Sequence, residues 1–518
     1  MASTFAGLSI ASRGLLASQT GTATTTNNIS NVNTPGYSRQ IVNQVAIGPA
    51  AVYGRNTIGA GADVTSVSRV NSFRLNQKYW QQNSSLGEWS ARTDYLTEIE
   101  KALGTSSKDN GFSDMMKDFN DALEALSTNA GDSAARVKVY ETGKAVCEYF
   151  NAAAKSLTQL RNDANSEVKT TIDQVNSYAR QIAELNQKIS SAVSAGAATN
   201  ELEDRRDLLV DELAKLTDVN VTANKINTAG DGTITSSYTL SINGQQLVSG
   251  NNARQLECYP ITDGSAQDGM YGIRWADTGT AFTMSTSGTL KTCIDLRDGT
   301  GTAGNSKGIP YYMSKLDNFS QTFAKAFNEG IYADGKQYYG GHAGGYGLDG
   351  TTGIRFFTCN EESTADFLAG GTDTASRYSK ITAANISLSA DVKDNNKIAA
   401  SSLPPADSDS STGGNNKNVA DLLSICKDSR LFNSGTPVDY YNSVIATLGT
   451  ETSYASREND RQTSMVAYID DSRTAVAGVS TNEETANLTK YQQAYAASAK
   501  AITTWNEIYE LTINMVSD

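Results

Sequence analysis

The sequence predicts an α+β multidomain protein in which a discontinuous bundle of long helices, a coiled coil formed by the N- and C-terminal segments, carries inserted β-rich outer domains. Apolar residues keep helical spacing through the first 220 residues and the last 60. From Val219 to about Leu290, β-branched and aromatic residues alternate with polar ones, a pattern typical of strands. The length of 518 residues corresponds to about three domains, and helical ends around a β-rich centre indicate that these domains are nested.

The longest helical pattern runs from residue 134 to about residue 195. It contains no proline and one glycine, Gly143, and at about 1.5 Å per residue it predicts a helix roughly 90 Å long. A helix of this length needs neighbours, and the candidates are residues 72–103, 112–126 and 202–216. Helical spacing resumes at residues 312–331, and again from residue 418 to the C-terminus.

The centre of the chain has the pattern of strands and loops. Asn243-Gly244, between TLSI and QQLV, predicts a two-residue hairpin turn. The Gly-, Tyr- and Ser-rich tract 336–416 contains the strand-like segments GIRFFTC and ANISLSA. We therefore divide the chain into four parts: residues 1–48 and 475–518, a terminal coiled-coil domain; residues 49–217, 300–335 and 417–474, a helical rod domain; residues 218–299, a β-rich inserted domain; and residues 336–416, a variable Gly/Ser-rich inserted region.

The C-terminal segment carries a coiled-coil seam whose members lie three and four residues apart. The seam consists of Leu488, Tyr491, Tyr495, Ser498, Ile502, Trp505, Tyr509, Thr512 and Val516, with the small residues Ala494, Ala497 and Ala501 beside it to admit another helix. A weaker N-terminal counterpart consists of Phe5, Leu8, Ser12, Leu15, Gln19, Thr22, Thr26 and Ile29. Because half of these positions are polar and threonine lowers helix propensity, we expect the N-terminal helix to order only against the C-terminal helix and neighbouring subunits.

A tight turn ends the N-terminal helix. Thr34 precedes a proline and is pushed out of the helical region, Pro35 presets φ, and Gly36 accepts a positive φ. The turn presents Tyr37 beside it. A helix stop alone does not explain the asparagines that precede the turn, which are Asn27, Asn28, Asn31 and Asn33.

Charge and composition argue against several classes of protein. The formal net charge is −13 and no cluster of five basic residues interrupts it, so we expect no nucleic-acid binding. No run of 18 apolar residues predicts membrane insertion. The first 18 residues lack a basic start and place Arg13 inside the apolar stretch, so we expect no cleaved signal peptide. The five cysteines are far apart and never in CxxC spacing, which predicts neither a zinc site nor a disulfide framework.

The residues with chemical potential have simpler interpretations. His342 is the one histidine and no nucleophile motif accompanies it, so we expect an exposed loop residue, no enzyme activity and no cofactor. Asp407 and Asp409 open like a calcium loop, but Thr412 stands where that loop needs glycine, which favours an acidic linker. The charged cluster at residues 201–207 predicts the solvated face of a helix.

Two motifs at opposite ends of the chain resemble a known family. NNISNVNTPGY at residues 27–37 resembles the N-terminal signature of bacterial flagellar rod, hook and hook-associated proteins. The continuation Ser38-Arg39-Gln40 and the C-terminal YQQAYAASAK at residues 491–500 are similar to the hook-associated proteins of the hook–filament junction. The strong resemblance covers about 70 residues, in the order and positions that the family has.

The resemblance implies an extracellular structural adaptor of the flagellum, exported without a cleaved signal peptide and assembled into a short helical layer. The implied partners are further copies of the chain, the hook protein, the next hook-associated protein towards the filament, and an export chaperone at the C-terminal helix. The implied assembly interface consists of Asn27, Asn28, Asn31, Asn33, Thr34, Pro35, Gly36, Tyr37, Leu488, Tyr491, Gln492, Gln493, Tyr495, Ile502, Trp505, Tyr509 and Val516. Two alternatives stay open: another axial protein, such as hook or distal rod, and a secreted adhesin or enzyme anchored through flagellin-like ends.

Overall fold

The computed structural model describes residues 5–53, 56–104, 111–227, 234–282, 287–302, 305–404 and 415–517. Its helices are α1 (Ala6–Ser30), α2 (Phe73–Ala102), α3 (Phe112–Thr128), α4 (Ser133–Ser194), α5 (Asn200–Leu216), α6 (Thr289–Asp298), α7 (Ile309–Glu329), α8 (Thr364–Ala369), α9 (Thr374–Tyr378), α10 (Lys417–Lys427), α11 (Pro437–Ala477) and α12 (Thr481–Ser517). Its strands are β1 (Gln40–Ala46), β2 (Pro49–Tyr53), β3 (Asn56–Gly59), β4 (Ala62–Arg69), β5 (Val219–Asn227), β6 (Ile234–Ile242), β7 (Gln245–Ser249), β8 (Asn252–Ala253), β9 (Leu256–Pro260), β10 (Tyr271–Trp275), β11 (Phe357–Cys359) and β12 (Ile386–Leu388). The predicted fold class, helical ends that pack together around inserted β-rich segments, is confirmed.

Helix α4 is the backbone of the molecule and confirms the long helix predicted from the sequence. Asp132 caps its N-terminus by accepting a hydrogen bond from the Ala134 amide at 2.9 Å. Its buried stripe divides between two hydrophobic cores: Val139 and Phe150 lie in the first, and Val168 and Ile182 lie in the second. One helix therefore joins two separately packed regions of the rod.

The first core is built from helices that meet around a cluster of phenylalanines. α3, α7, α10 and the first half of α4 contribute to it, together with the loop-rich region that contains β11 and β12. Phe150 and Phe319 stack with ring centroids 4.7 Å apart. The strand-like segments predicted in the Gly/Ser-rich tract pair with each other, Phe357 opposite Leu388.

His342 belongs to this first core, so the prediction of an exposed loop histidine is wrong. Its side chain is fully buried, Nδ1 lies 2.7 Å from the Ile354 carbonyl oxygen, and Nε2 accepts the Ala399 amide at 2.9 Å. The ring therefore ties two loop segments together as a neutral imidazole. The calcium-like residues Asp407 and Asp409 lie outside the described residues.

The second core lies between the last half of α4, α5, α6 and the β-rich segment. β5, β6, β7 and β8 form an antiparallel sheet in chain order, and β9 pairs with β10. Asn243 and Gly244 join β6 to β7 with φ of 48° and 70°, which confirms the predicted hairpin turn.

A β-ribbon between residues 40 and 69 was not predicted, because the sequence pattern was taken as helical there. β1 pairs with β4, from Gln40 opposite Arg69 to Ala46 opposite Ala62, and β2 pairs with β3 beyond them. The ribbon runs back along α1, where Gly61 lies against Ile10. A two-stranded ribbon is marginally stable alone, so this contact with α1 is what supports it.

Candidate assembly interface

The terminal helices α1 and α12 run antiparallel and meet through a glycine face of α1. A Cβ at Gly7 would lie 2.1 Å from Cε2 of Trp505, and a Cβ at Gly21 would lie 2.5 Å from Cδ1 of Tyr491. No real Cβ approaches an aromatic ring so closely, so this packing distance requires glycine at both positions. Gly14 faces Ser498 between these two contacts.

The N-terminal half of this contact differs from the predicted seam. The buried residues of α1 are Ala11, Ala17, Ser18, Gly21, Thr24, Thr25 and Asn28, whereas the predicted seam positions Ser12, Gln19 and Thr26 are exposed. The predicted phase was wrong because glycine, serine and threonine form the contact, and apolar periodicity does not detect them. The small residues that admit the partner helix lie on α1, while Ala494 and Ala497 of α12 are exposed.

The predicted residues of α12 fall into two groups. Those that are half-buried are Leu488, Tyr491, Ile502, Trp505 and Tyr509, while Gln492, Gln493 and Tyr495 are exposed and Val516 lies in the last turn of the helix. The apolar side chains Leu511 and Met515 are 65% and 81% exposed. A single chain therefore leaves one apolar side of α12 uncovered.

Asn28 lies at the base of the helix pair and uses all of its hydrogen-bonding capacity. Its Nδ2 donates to Gln40 O at 2.9 Å and to Glu484 Oε2 at 3.0 Å. Its Oδ1 accepts from Gln40 N at 2.9 Å and from the Tyr37 hydroxyl at 2.8 Å. Glu484 also forms an ion pair with Arg39 at 2.8 Å. Asn28 thus joins α1, the turn, β1 and α12 in one buried contact.

The other predicted asparagines have smaller roles. Asn31 Nδ2 donates to Asn27 Oδ1 at 2.9 Å, and its Oδ1 accepts the Thr34 hydroxyl at 3.1 Å. Asn27 in turn lies 3.4 Å from a carboxylate oxygen of Glu201. Asn33 is exposed and has no hydrogen-bond partner among the described residues.

The predicted turn ends α1 in the expected way. Gly36 has φ of 75°, a conformation that favours glycine, and its Cα faces Leu208 of α5. Pro35 precedes it and is exposed. Burial, followed by the negative charges of Glu201 and nearby carboxylates, raises the pKa of Tyr37 to about 12, so its hydroxyl stays protonated and donates to Asn28.

Arg69 joins the end of the ribbon to α5 through three carboxylates. Glu203, Asp204 and Asp207 lie at 2.8 Å from its guanidinium nitrogens. The prediction that residues 201–207 form a solvated face is therefore wrong for Asp204 and Asp207, which are buried. The helix presents these charges inward because Arg69, distant in sequence, supplies the opposite charge.

A second ion pair ties α5 to α11. Asp211 accepts the indole N–H of Trp80 at 2.6 Å and pairs with Arg473 at 2.9 Å. Burial outweighs the attraction of Arg473 and raises the pKa of Asp211 to about 6. A cavity of about 280 Å³ lies between these two ion clusters, lined by Thr34, Gly36, Tyr37, Arg69, Asp207 and Arg473 among others. The joint between the terminal pair and the rod is thus polar and incompletely filled.

Comparison with known proteins identifies the family. Residues 96–357 match the family model of the flagellar hook-associated protein FlgK helical domain. Residues 8–37 match the flagella basal body rod protein model, and residues 473–515 match the C-terminal model of the flagellar basal body rod FlgEFG proteins. Flagellar hook-associated protein 1 of Bacillus subtilis is 31% identical over 99% of both chains.

The chain belongs to the flagellar hook-associated protein 1 family. Members from Escherichia coli and Salmonella typhimurium are each 27% identical, over 97% of this chain and 98% of theirs. The solved structure of the flagellar hook junction protein FlgK from Burkholderia pseudomallei has the same fold, with a TM-score of 0.57 and 17% identity over 78% of this chain and all of that one. The predicted family and the predicted structural function in the flagellum, at the hook–filament junction, are confirmed.

Two findings fit membership of the hook-associated protein 1 family, and one was readable in the sequence. Of the helices in the described part of the chain, none combines the length and hydropathy that crossing a bilayer requires. The glycine face was missed, although Gly7, Gly14 and Gly21 follow a seven-residue spacing that Trp505, Ser498 and Tyr491 repeat in reverse order. That matching spacing was the signal for an antiparallel contact.

Proposed function

We propose that the α1–α12 pair forms the inner tube of a short helical layer by which this chain joins the flagellar hook to the filament. The observation that carries the proposal is the uncovered side of α12, where Tyr495, Leu511 and Met515 are 43%, 65% and 81% exposed. Apolar surface of this extent on one helix favours burial against another chain. A helical array of identical subunits supplies that cover to every copy except those at its ends.

The proposed interface has an inner and an outer part. Asn28, Tyr37, Tyr491 and Trp505 hold the two helices of one chain together, which supports their role in shaping the subunit. The exposed residues Asn33, Gln492, Gln493 and Tyr495 then face neighbouring copies. The proposed division into a terminal pair, a helical rod and two outer inserts is supported by the two separate cores and the polar joint.

The proposed partners follow from this arrangement. The layer contacts the hook protein on one side and the next hook-associated protein on the other, and an export chaperone covers the exposed side of α12 before the chain leaves the cell. We propose export without a cleaved signal peptide and a non-enzymatic role. In support of that role, both ring nitrogens of His342, the one histidine, are engaged by backbone atoms in the core.

Electron microscopy of a strain that lacks this chain tests the proposal. Hooks without filaments, with filament subunits released into the medium, are the expected result, and reintroduction of the full chain restores filaments. A strain without hooks would indicate a hook or rod protein instead. Normal filaments would contradict the junction role and would favour a surface adhesin or enzyme.

A further inference from the structure

The contacts between α1 and α12 form four layers at the same spacing. Each step of seven residues forward on α1, through Gly7, Gly14, Gly21 and Asn28, is a step of seven back on α12, through Trp505, Ser498, Tyr491 and Glu484. Seven residues of helix span about 10.5 Å. The layers are therefore regularly spaced along the pair.

The three glycine layers do not by themselves distinguish one register from another. Each glycine offers the same absence of a side chain, so a shift of α12 by seven residues places Trp505 on Gly14 and Ser498 on Gly21. Two of the three glycine contacts survive such a shift. Packing of the apolar and small residues therefore selects the register only weakly.

The fourth layer differs, because Asn28 and Glu484 are 1% and 2% exposed and are matched to each other. The same shift places Tyr491 against Asn28 and moves Glu484 past the end of α1, away from its hydrogen bond with Asn28. The Glu484 carboxylate then also leaves Arg39, with which it is ion-paired at 2.8 Å. A buried charge without its partners is costly, so this layer tolerates one register only.

We infer that the buried Asn28–Glu484 contact fixes the axial register of the terminal helices, and hence the position of each copy along the inner tube. The inference rests on the proposed function, because the register matters where the helices of many copies stack. Asn28 and Glu484 act as positioning residues: they contact no other copy in this arrangement, but they set where α12 presents its exposed apolar side.

Disulfide trapping in assembled flagella tests the register. A Cβ at Gly14 would lie 3.9 Å from Cβ of Ser498, within the range of about 3.5–4.5 Å that disulfides have. The pair Gly14→Cys with Ser498→Cys therefore reports the observed register, and Gly21→Cys with Ser498→Cys reports a shift of seven residues. Intrachain and interchain bonds are separated on non-reducing gels and assigned by mass spectrometry.

Each cysteine pair is placed in three backgrounds: the intact chain, Glu484→Ala, and the matched control Glu483→Ala. Glu483 pairs with the same Arg39, at 3.0 Å, but is exposed and does not contact Asn28. We expect the intact chain and the control to form the Gly14–Ser498 bond, and Glu484→Ala to gain the shifted bond at least several-fold. Any strain caused by the cysteine at position 21 is common to all backgrounds.

An identical pattern in Glu484→Ala and Glu483→Ala would overturn the inference. Asn28→Ala removes the same contact from α1 and is read in the same way. If a variant stays outside the flagellum, its disulfides are read in the purified full-length chain, where the observed register alone again contradicts the inference. The proposed function fails separately, through normal filaments in the strain that lacks the chain.

Discussion

Gly7 of α1 and Trp505 of α12 lie in one layer, with the indole in the space that any other residue would fill with its Cβ. The distance from that Cβ to Cε2 of the indole would be 2.1 Å. The terminal pair thus combines a small residue on one helix with a large one on the other. This explains why α1 is poor in apolar residues although it is one half of a coiled coil.

Alanine at Gly21 is expected to push the terminal helices apart and to reduce the fraction of hooks that carry filaments. Its Cβ would meet the Tyr491 ring at 2.5 Å, and overpacking of this kind costs about 1–3 kcal/mol. Gly14→Ala is the matched control, because its Cβ would meet the Ser498 hydroxyl at 3.0 Å, and a change of rotamer moves that group aside. Filaments are counted by electron microscopy. Equal losses in both variants would contradict the close-approach explanation.

Methionine at Arg69 is expected to destabilise the folded chain by about 3–5 kcal/mol, because it leaves Asp204 and Asp207 buried without their counter-charge. The urea midpoint measured by circular dichroism gives the change. Lys117→Met removes an exposed pair with Asp121 at 2.6 Å and should leave the midpoint where it was. A midpoint for Arg69→Met that matches the control would mean that the ion cluster contributes little to stability.

Much of the fold was predictable because periodicity reports burial. The 62 residues of α4 bury one continuous stripe, and the Asn243-Gly244 turn requires positive φ at both positions, so local sequence determined both. The Pro35-Gly36 turn was predictable for the same reason. Such features depend on residues close together in the chain.

The remainder depends on partners far away in sequence. Asp204 is buried because Arg69 lies beside it, and His342 is buried because Ile354 and Ala399 supply backbone partners. Without those partners the same residues would be solvated, which is what the sequence pattern indicated. The glycine face of α1 was missed for a related reason, since glycine contributes no apolar periodicity of its own.

The titration of Asp211 should make the chain more stable at pH 4 than at pH 7 relative to Asp211→Asn. Burial raises the pKa of Asp211 from 3.8 to about 6 in the folded chain, so the folded state holds a proton between these values that the unfolded state releases. The unfolding free energy therefore falls as pH rises through this window, by roughly 2–3 kcal/mol. Urea titrations of both chains at the two pH values measure it. Parallel changes in both chains would contradict the assignment.

His342 is expected to act in the opposite direction. Burial, with repulsion from Arg136 and Arg355, lowers the pKa of His342 from 6.5 to about 4. The stability it contributes is complete above pH 6.5 and is lost as pH falls towards 4, by roughly 3 kcal/mol. His342→Gln keeps a donor and an acceptor without titrating there. Hydrogen exchange in α7 should rise less on acidification in this variant than in the unchanged chain, and equal rises would exclude His342 as the cause.

Polar substitutions at Leu511 and Met515 separate assembly from folding. Both side chains are largely exposed, at 65% and 81%, so Leu511→Gln with Met515→Gln removes little burial within one chain. The urea midpoint should therefore stay unchanged, whereas incorporation into flagella should drop at least tenfold, because the neighbouring copy loses the apolar surface that it would cover. Thr504→Gln, an exposed change on the same helix, is the control and should be incorporated normally. Immunoblots of sheared flagella against the culture medium measure incorporation. Normal incorporation of the double variant would show that this side of α12 faces solvent in the assembled layer, and would remove the observation on which the inner-tube proposal depends.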